Sequence, residues 1–305
     1  MWLGYAFLSA ALLGCYDVFK KVALRRNDVI PVLFLNTFFC SLIFLVPVLL
    51  SQFNVLRSDH LFYVPAEGWH VHRYILLKSC IVLSSWSFGY LGMKHLPLTL
   101  VGPINATRPV MVLVGAMLFF GERLNGWQWA GVWLTILSYL LLRRSGKREG
   151  IDFRHNRWIF CVVLAALLGA VSGLYDKYLL APVADGGVGL DRMVVQSYFN
   201  FYQCVMMSFA CVFFSSRAKL ISTLRTSLLP VVLVSVFLSM ADLAYFYALS
   251  IDGALISVVS MVRRGSVVVS FLIAAYIFHE RNLRSKAIDL VLMLLGLACL
   301  WIGTK

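Results

Sequence analysis

The 305-residue sequence has few charged residues and even fewer acidic ones. Only 13% of its residues are charged, whereas about a quarter are charged in a typical soluble domain. Aspartate and glutamate together number 14, and hydrophobic residues make up 61% of the chain. This composition does not suit a soluble globular protein and indicates a chain embedded in a membrane.

Several motifs of catalytic and cofactor-binding sites are missing as well. The sequence contains no GxxxxGK[ST] loop for nucleotide phosphates, no HExxH pair for zinc and no GxSxG turn for a serine nucleophile. Its seven cysteines form no CxxC pair and fall within apolar stretches, so we expect thiols and not disulfides or zinc ligands. The sequence therefore predicts no cofactor and no metal site.

Apolar runs of about 20 residues, the length that crosses about 30 Å of hydrocarbon, are abundant. Ten follow one another along the chain, at 2–24, 28–50, 74–95, 97–120, 126–143, 158–180, 193–216, 227–250, 253–278 and 283–303. A helix satisfies its own backbone groups in lipid. The expected fold is an all-α membrane protein with ten transmembrane helices, surrounded by membrane lipids.

The net charge of +13 is distributed unevenly between the two sides that ten spans define. Loops after spans 1, 3, 5, 7 and 9 carry 17 lysines and arginines, whereas the opposite side carries seven: Arg57, Arg73, Lys78, Arg123, Lys177, Arg192 and Lys305. The positive-inside rule makes the richer side cytoplasmic and places both termini outside, in the plasma or inner membrane of the cell. The basic excess is thus a topology signal, and no nucleic-acid partner is expected.

The two halves of the chain repeat each other. The segment "LLGCYDVFKK" in span 1 matches "SGLYDKYLL" in span 6, and "FFGERLNGWQWAG" after span 4 matches "IFHERNLRSKAID" after span 9. Five spans in each copy is an odd number, so the copies must insert in opposite orientations. The sequence predicts two inverted five-helix repeats, at 1–145 and 157–305, joined by a polar linker at 146–156. Inverted repeats are typical of transporters, which bind their substrate at the interface of the copies.

The repeat pattern resembles the drug/metabolite transporter superfamily, in its EamA-like branch. The residues that carry the resemblance are "LPLTLVGPINATRPVMVLVGAMLFFGERLNGWQWAG" (96–131) and "IDGALISVVSMVRRGSVVVSFLIAAYIFHERNL" (251–283), where His279 replaces the usual glycine. The resemblance covers nearly the whole chain in architecture. It implies alternating access through a central cavity lined mainly by helices 1, 3, 4, 6, 8 and 9.

Arginines near the middle of two spans are the strongest candidates for substrate binding, because a charge at the bilayer centre costs about 2.5–3.5 kcal/mol on insertion scales. Arg108 lies in span 4, and Arg263 and Arg264 lie in span 9. Repeat symmetry pairs Arg108 with Arg264, and two guanidinium groups could hold a carboxylate or phosphate. The alternative is that these arginines neutralise Asp17, Asp176 or Asp242 as internal ion pairs.

Three aspartates in the spans are candidates for different roles. Asp242 in span 8 has no acidic counterpart in span 3, where Trp86 stands at the matching place, so it could bind a cationic group or a proton, or pair with an arginine. Asp17 shares one helical face with Lys20, and Asp176 precedes Lys177. These two sets could form alternating gates or simple ion pairs at helix ends.

Aromatic side chains on the expected cavity helices could hold the body of a substrate. The candidates are Tyr16, Trp86, Tyr90 and Tyr245. Aromatic residues make up 14% of the chain, and most of them are expected to face lipid or neighbouring helices instead.

The preferred function is secondary active transport or exchange of a polar, anionic or zwitterionic metabolite, with a proton or counter-substrate as a possible partner. A lipid flippase or a cationic drug exporter of the same fold is an alternative. An intramembrane aspartyl protease is a remote alternative, because the Gly-x-Gly-Asp partner of its catalytic pair is missing. We therefore do not expect an enzyme.

Overall fold

A computed structural model of the chain describes residues 2–24, 27–95, 107–144, 157–266, 268, 269, 273 and 283–303. These residues form ten α-helices, one turn of 3₁₀-helix and no strand. The helices are α1 (Trp2–Leu24), α2 (Val29–Gln52), α3 (Trp69–His95), α4 (Arg108–Phe119), α5 (Gly126–Arg144), α6 (Arg157–Leu180), α7 (Arg192–Phe214), α8 (Arg217–Leu249), α9 (Ile256–Arg264) and α10 (Leu283–Ile302). The prediction of an all-α protein is confirmed. The predicted linker at 146–156 lies outside the described residues, as do the first part of span 4 and most of the second part of span 9.

Five of these helices are long and apolar enough to cross a membrane, namely α1, α2, α6, α7 and α8. Helix α3 has the length, but it begins five residues earlier than the predicted span 3, at Trp69. The extra turn brings His70, His72 and Arg73 into the helix and lowers its hydropathy. Along the described part of the chain, several apolar helices therefore support an integral membrane protein.

Helix α8 corrects one predicted boundary. Residues 217–226 were expected to belong to the loop before span 8, but they form a helix that continues into it. The side chain of Ser216 caps the start of this helix by accepting a hydrogen bond from the backbone N–H of Lys219. The backbone leaves helical geometry at Ser227, three residues before Pro230, which cannot donate a helical hydrogen bond. The result is one kinked helix of 33 residues.

Most of the extensive packing joins a helix from residues 2–144 to a helix from residues 157–303. Helix α1 packs along α8, α3 along α6, α2 against α7, α4 against α9 and α5 against α10. Ala6, Val112, Leu179 and Phe246 belong to a large buried cluster, to which all of the described helices except α2 and α3 contribute buried residues. The central helices are thus held by contacts between the two halves of the chain.

Candidate functional site

A cavity of about 390 Å³ lies between the central helices. It is lined by residues of α1, α3, α4, α6, α8 and α9, with Phe199 added from α7 and Ser266 from the segment after α9. Charged side chains in the lining are Asp17, Lys20, Lys78, Arg108, Asp176, Asp242, Arg263 and Arg264. Such a density of charge in a helical membrane bundle marks this cavity as the candidate functional site.

Arg108 stands at the first position of the described helix α4, directly before Pro109. Its Nη2 donates to the Ser85 hydroxyl oxygen at 3.0 Å and to the Ala165 carbonyl oxygen at 3.5 Å. Its buried Nε has no hydrogen-bond partner. Within the described residues no carboxylate pairs with Arg108, so this guanidinium is held in place by neutral oxygens only.

Glycine at position 169 makes room for this guanidinium. A Cβ atom built on Gly169 of α6 would overlap the Nη2 and Cζ atoms of Arg108. The overlap is with a group that Ser85 and Ala165 already hold, so it could not be relieved without moving Arg108. Gly169 is therefore a steric requirement for the observed position of Arg108.

Arg263 on α9 forms an ion pair with Asp242 on α8. The Arg263 guanidinium also stacks over the ring of Tyr245, with 4.1 Å between Cζ and the ring centroid. Both side chains of the pair remain about one-fifth exposed, at 20% for Arg263 and 17% for Asp242. The structure thus shows, for this arginine, the ion pairing that the sequence had left as an alternative to substrate binding.

Lys78 on α3 forms a buried ion pair with Asp176 on α6. The Lys78 ammonium lies 4.5 Å from the ring centre of Phe199 and 4.7 Å from that of Phe246. The side chains of the pair are only 2% and 7% exposed. Lys78 had been counted as a loop charge flanking span 3, and its burial corrects that assignment. Its position as the fifth residue of the apolar run 74–95 was the signal that could have revealed its burial.

Asp17, Lys20 and Tyr16 of α1 line the cavity together. The Lys20 ammonium lies 5.2 Å from the ring centre of Tyr16. Arg263 and Arg264 of α9 line the same cavity as Asp17. The α1 carboxylate therefore shares its surroundings with the cationic end of α9.

Two side chains fix the start of α9, and neither lines the cavity. The Glu122 carboxylate, which precedes α5, accepts hydrogen bonds from the backbone N–H groups of Ile256 at 2.7 Å and Ser257 at 3.2 Å. It also accepts a bond from the Ser257 hydroxyl at 2.5 Å. The Lys177 ammonium donates to the Ala254 carbonyl at 2.6 Å. A carboxylate at a helix N-terminus satisfies unpaired N–H groups and complements the helix dipole.

The structure brings most of the predicted site residues to one cavity. Those that line it are Tyr16, Asp17, Lys20, Trp86, Arg108, Asp176, Asp242, Tyr245, Arg263 and Arg264. Lys177 is directed to the backbone of Ala254 instead, and the side chain of Tyr90 lies outside the described part of the structure. Sequence reasoning missed Lys78, Ser85, Gly169, Phe199 and Phe246 as members of this site.

The lining carries more positive than negative charge. Five of its described residues are lysine or arginine and three are aspartate, so its formal charge is +2. The three arginines and three aspartates recognised in the sequence would have balanced each other. The difference comes from Lys20 and Lys78, which the fold brings to the same cavity.

Comparison with protein families identifies the first half of the chain. Residues 1–144 match the EamA-like transporter family. The resemblance to the EamA-like branch of the drug/metabolite transporter superfamily is thereby confirmed. This match, together with the relatives below, supports a membrane transporter, and a transporter implies a small-molecule substrate.

Two curated relatives each match about half of the chain. An uncharacterised transporter from the cobO 3′ region of a Sinorhizobium species is 28% identical over 142 residues, which cover 46% of this chain and 95% of that protein. The chloramphenicol-sensitive protein RarD of Pseudomonas aeruginosa is 27% identical over 157 residues, which cover 48% of this chain and 50% of that protein. The second match thus spans only half of its relative.

A solved crystal structure has the same overall fold. It covers 98% of this chain and 96% of its own, with a TM-score of 0.72 at 15% sequence identity. Because the sequence identity is so low, this likeness concerns the fold alone. It shows that one known architecture extends over the EamA-like half and the second half together.

Proposed function

We propose that this protein is a secondary transporter or exchanger of a polar organic anion or zwitterion, working by alternating access through the central cavity. The observation that carries the proposal is the placement of Arg108. Its guanidinium faces a cavity of about 390 Å³ and has no carboxylate partner among the described residues. An unneutralised guanidinium in such a site suits a carboxylate or phosphate group of a solute.

The packing pattern supports two inverted five-helix repeats, at 1–145 and 157–305. In two such repeats α1 corresponds to α6, α3 to α8 and α4 to α9. The contact of α1 with α8 then corresponds to that of α6 with α3, and the contact of α1 with α9 corresponds to that of α6 with α4. All four of these contacts occur. The length of the Sinorhizobium relative, of which 142 residues are 95%, also corresponds to one such half. On this basis we propose ten transmembrane helices around a shared cavity.

The two YD aspartates support alternating gates. Both aspartates line the cavity, but Asp176 forms an ion pair with Lys78, whose ammonium contacts the rings of Phe199 and Phe246, whereas Asp17 lies on the wall with Lys20. Repeat-related positions thus have unlike surroundings, as expected when one mouth is closed and the other is not. We propose that Lys78–Asp176 closes the non-cytoplasmic mouth and that Asp17 with Lys20 belongs to the cytoplasmic one.

The ion pair between Asp176 and Lys78 is also evidence against an aspartyl protease. Two aspartates that cut peptides share one proton at close range, but the Asp176 carboxylate is engaged by an ammonium group. Energy for transport would come from a proton or a counter-substrate. The charge distribution of the loops supports a plasma or inner membrane location with both termini outside.

A ligand screen on the purified protein tests the proposal. Matched panels of anionic, zwitterionic and cationic metabolites are compared for the rise in melting temperature that binding to the folded state produces. We expect anions or zwitterions to stabilise the wild type and to lose that effect in Arg108→Ala. Arg192→Ala, which removes a positive charge outside the central cavity, is the control. A response to cations alone, or an unchanged response of Arg108→Ala, would refute the proposal.

A further inference from the structure

We propose that the binding of an anionic group in the central cavity is coupled to the uptake of a proton by Asp242, so that the proton is the coupling ion of the transporter. The inference rests on the transport function proposed above and assigns the partner of the same site. The acidic group of the solute takes the place of Asp242 at Arg263, and the displaced carboxylate binds a proton. One proton moves from water to a carboxylate oxygen of Asp242, and no electron is transferred.

The two ion pairs of the cavity differ in their exposure. The side chains of Lys78 and Asp176 are only 2% and 7% exposed, and the ammonium contacts two phenyl rings. Those of Arg263 and Asp242 are 20% and 17% exposed, and both line the cavity. A solute in the cavity can therefore reach the pair of Arg263 and Asp242 and compete for its charges, whereas the pair of Lys78 and Asp176 is closed to it.

Asp242 uses only part of the hydrogen-bonding capacity of Arg263. The pair is formed by Nη2 of Arg263 and Oδ1 of Asp242, while the buried Nε of Arg263 has no partner among the described residues. An acidic group that accepts from both Nε and Nη2 makes two parallel hydrogen bonds, which is the strongest arrangement for a guanidinium. Because Nε is buried, the guanidinium has to turn away from Asp242 to offer both groups. A bound anion therefore displaces Asp242.

Tyr245 holds Arg263 by a contact that does not depend on Asp242. The Cζ atom of Arg263 lies 4.1 Å from the ring centroid of Tyr245, and the tyrosine is only 4% exposed. A cation–π contact occupies one face of the guanidinium and leaves the N–H donors, which lie in its plane, available for acceptors. Arg263 thus keeps a stabilising neighbour while it exchanges one acidic group for another.

Displacement leaves the Asp242 carboxylate without the arginine that neutralised it. An ionised carboxylate is costly in a cavity of low dielectric constant, and the uptake of a proton removes that cost. The solute brings one negative charge and the proton one positive charge, so loading of both leaves the net charge of the cavity unchanged. Because linkage is reciprocal, protonation of Asp242 also frees Arg263 for the anion.

Other ionisable groups face Asp242 from the helices around it. Those that line the cavity with it are Tyr16, Asp17 and Lys20 of α1, Lys78 of α3, Arg108 of α4, Asp176 of α6, Tyr245 of α8, and Arg263 and Arg264 of α9. The thiol of Cys40 on α2 lies within electrostatic range of Asp242 and of Cys204 on α7. No histidine is among the described lining residues. The carboxylates are therefore the candidate proton acceptors, and Asp17 is the alternative that an experiment has to exclude.

Proton uptake on anion binding is the direct test. Binding of benzenesulfonate, sulfate and taurine to the purified full-length protein is measured by calorimetry in two amine buffers that differ in ionisation enthalpy. The acidic groups of these probes stay ionised near neutral pH, so any proton taken up is bound by the protein. We expect uptake of up to about one proton per bound molecule. Because the loaded protein holds more protons, affinity should rise by up to about tenfold for each unit by which the pH falls from about 8 to about 5.5.

Asp242→Asn is the decisive variant, because the amide resembles the protonated carboxyl group in shape and carries no charge. It should bind the probe without proton uptake, and its affinity at about pH 8 should already lie within about threefold of the wild-type affinity at about pH 5.5. Arg263→Gln provides a second variant that should lose proton uptake, because Asp242 then has no arginine to release. Asp185→Asn, which removes an exposed carboxylate outside the cavity, should keep the wild-type uptake.

Probe binding that takes up no proton and keeps one affinity from about pH 8 to about pH 5.5 would overturn this inference and leave anion transport standing. Loss of the uptake in Asp17→Asn, with uptake retained in Asp242→Asn, would overturn it as well, because the proton would then bind to α1. Failure of all three probes to bind at any of these pH values would also count against the inference. A response to cations alone in the wider screen would overturn the proposed function too.

Discussion

Lys78 and Asp176 form a buried ion pair that ties α3 to α6 across the two halves of the chain. The ammonium also contacts the rings of Phe199 and Phe246, and the side chains of the pair are only 2% and 7% exposed, so both charges are largely shielded from water. Formation of such a pair costs desolvation free energy. Removal of one partner also costs free energy, because it leaves the other charge buried and unpaired.

Substitution of one partner should therefore destabilise the protein strongly. We expect Lys78→Met to lower the free energy of unfolding by about 3–5 kcal/mol, whereas Lys78→Met combined with Asp176→Leu should recover much of the loss. The measurement is thermal and denaturant unfolding of the purified protein. Lys219→Met is the matched control, since Lys219 pairs with Asp28 at 2.7 Å on an exposed surface and should cost about 0–1 kcal/mol. Similar losses for the two single variants would contradict the structural assignment.

The steric requirement at Gly169 gives a prediction for binding. Gly169→Ala should displace the Arg108 guanidinium, because its Cβ would overlap that group. Loss of a charge-assisted hydrogen bond to the ligand should weaken anion binding by about tenfold or more. Gly4→Ala is the control, as a Cβ there meets no atom within 4 Å. Titration of a stabilising anion by melting temperature measures the effect, and an unchanged affinity in Gly169→Ala would show that Arg108 does not contact the ligand.

Removal of the Asp242 carboxylate should shift charge preference. Asp242→Asn leaves Arg263 without its ion-pair partner and raises the formal charge of the described lining from +2 to +3. We expect anion affinity to rise by about tenfold relative to zwitterion affinity, because the added positive charge acts in a site of low dielectric constant. Paired titrations of an anion and a zwitterion on both proteins test this shift. A fall in the anion-to-zwitterion ratio would indicate that Asp242 positions the arginines more than it offsets their charge.

The start of α9 depends on the Glu122 carboxylate. Glu122→Ala should lower the free energy of unfolding by about 1–3 kcal/mol, since two buried backbone N–H groups and the Ser257 hydroxyl lose their acceptor. Glu122→Asp tests whether a shorter side chain can still accept hydrogen bonds from the N–H groups of Ile256 and Ser257. Glu67→Ala, on an exposed loop, is the control. Because α9 carries Arg263 and Arg264, ligand affinity should fall together with stability. Full stability of Glu122→Ala would contradict the capping role.

The successive apolar runs of about 20 residues predicted an all-α membrane protein from the sequence alone. Each predicted span from Trp2 onward had the length and composition of a membrane helix, and backbone physics in lipid permits few alternatives. The paired YD and Gly-Glu-Arg-like segments similarly revealed a repeated chain and a family resemblance before any contact was known. The predicted starting residues of two helices, α3 and α8, were wrong. The start of α3 lies at Trp69, and the helix before Ser227 replaced an expected loop.

Charge pairing, in contrast, was decided by the tertiary structure. Lys78 and Asp176 are 98 residues apart, and Arg108 owes its place to Gly169 on another helix, so no local pattern could reveal either relationship. The sequence determined which ionisable residues enter the apolar helices, because composition and spacing are local properties. Only the packing of α3, α4, α6, α8 and α9 against one another decided which charges neutralise each other and which face the cavity. Electrostatic energy depends on distances in space, and the fold alone sets those distances.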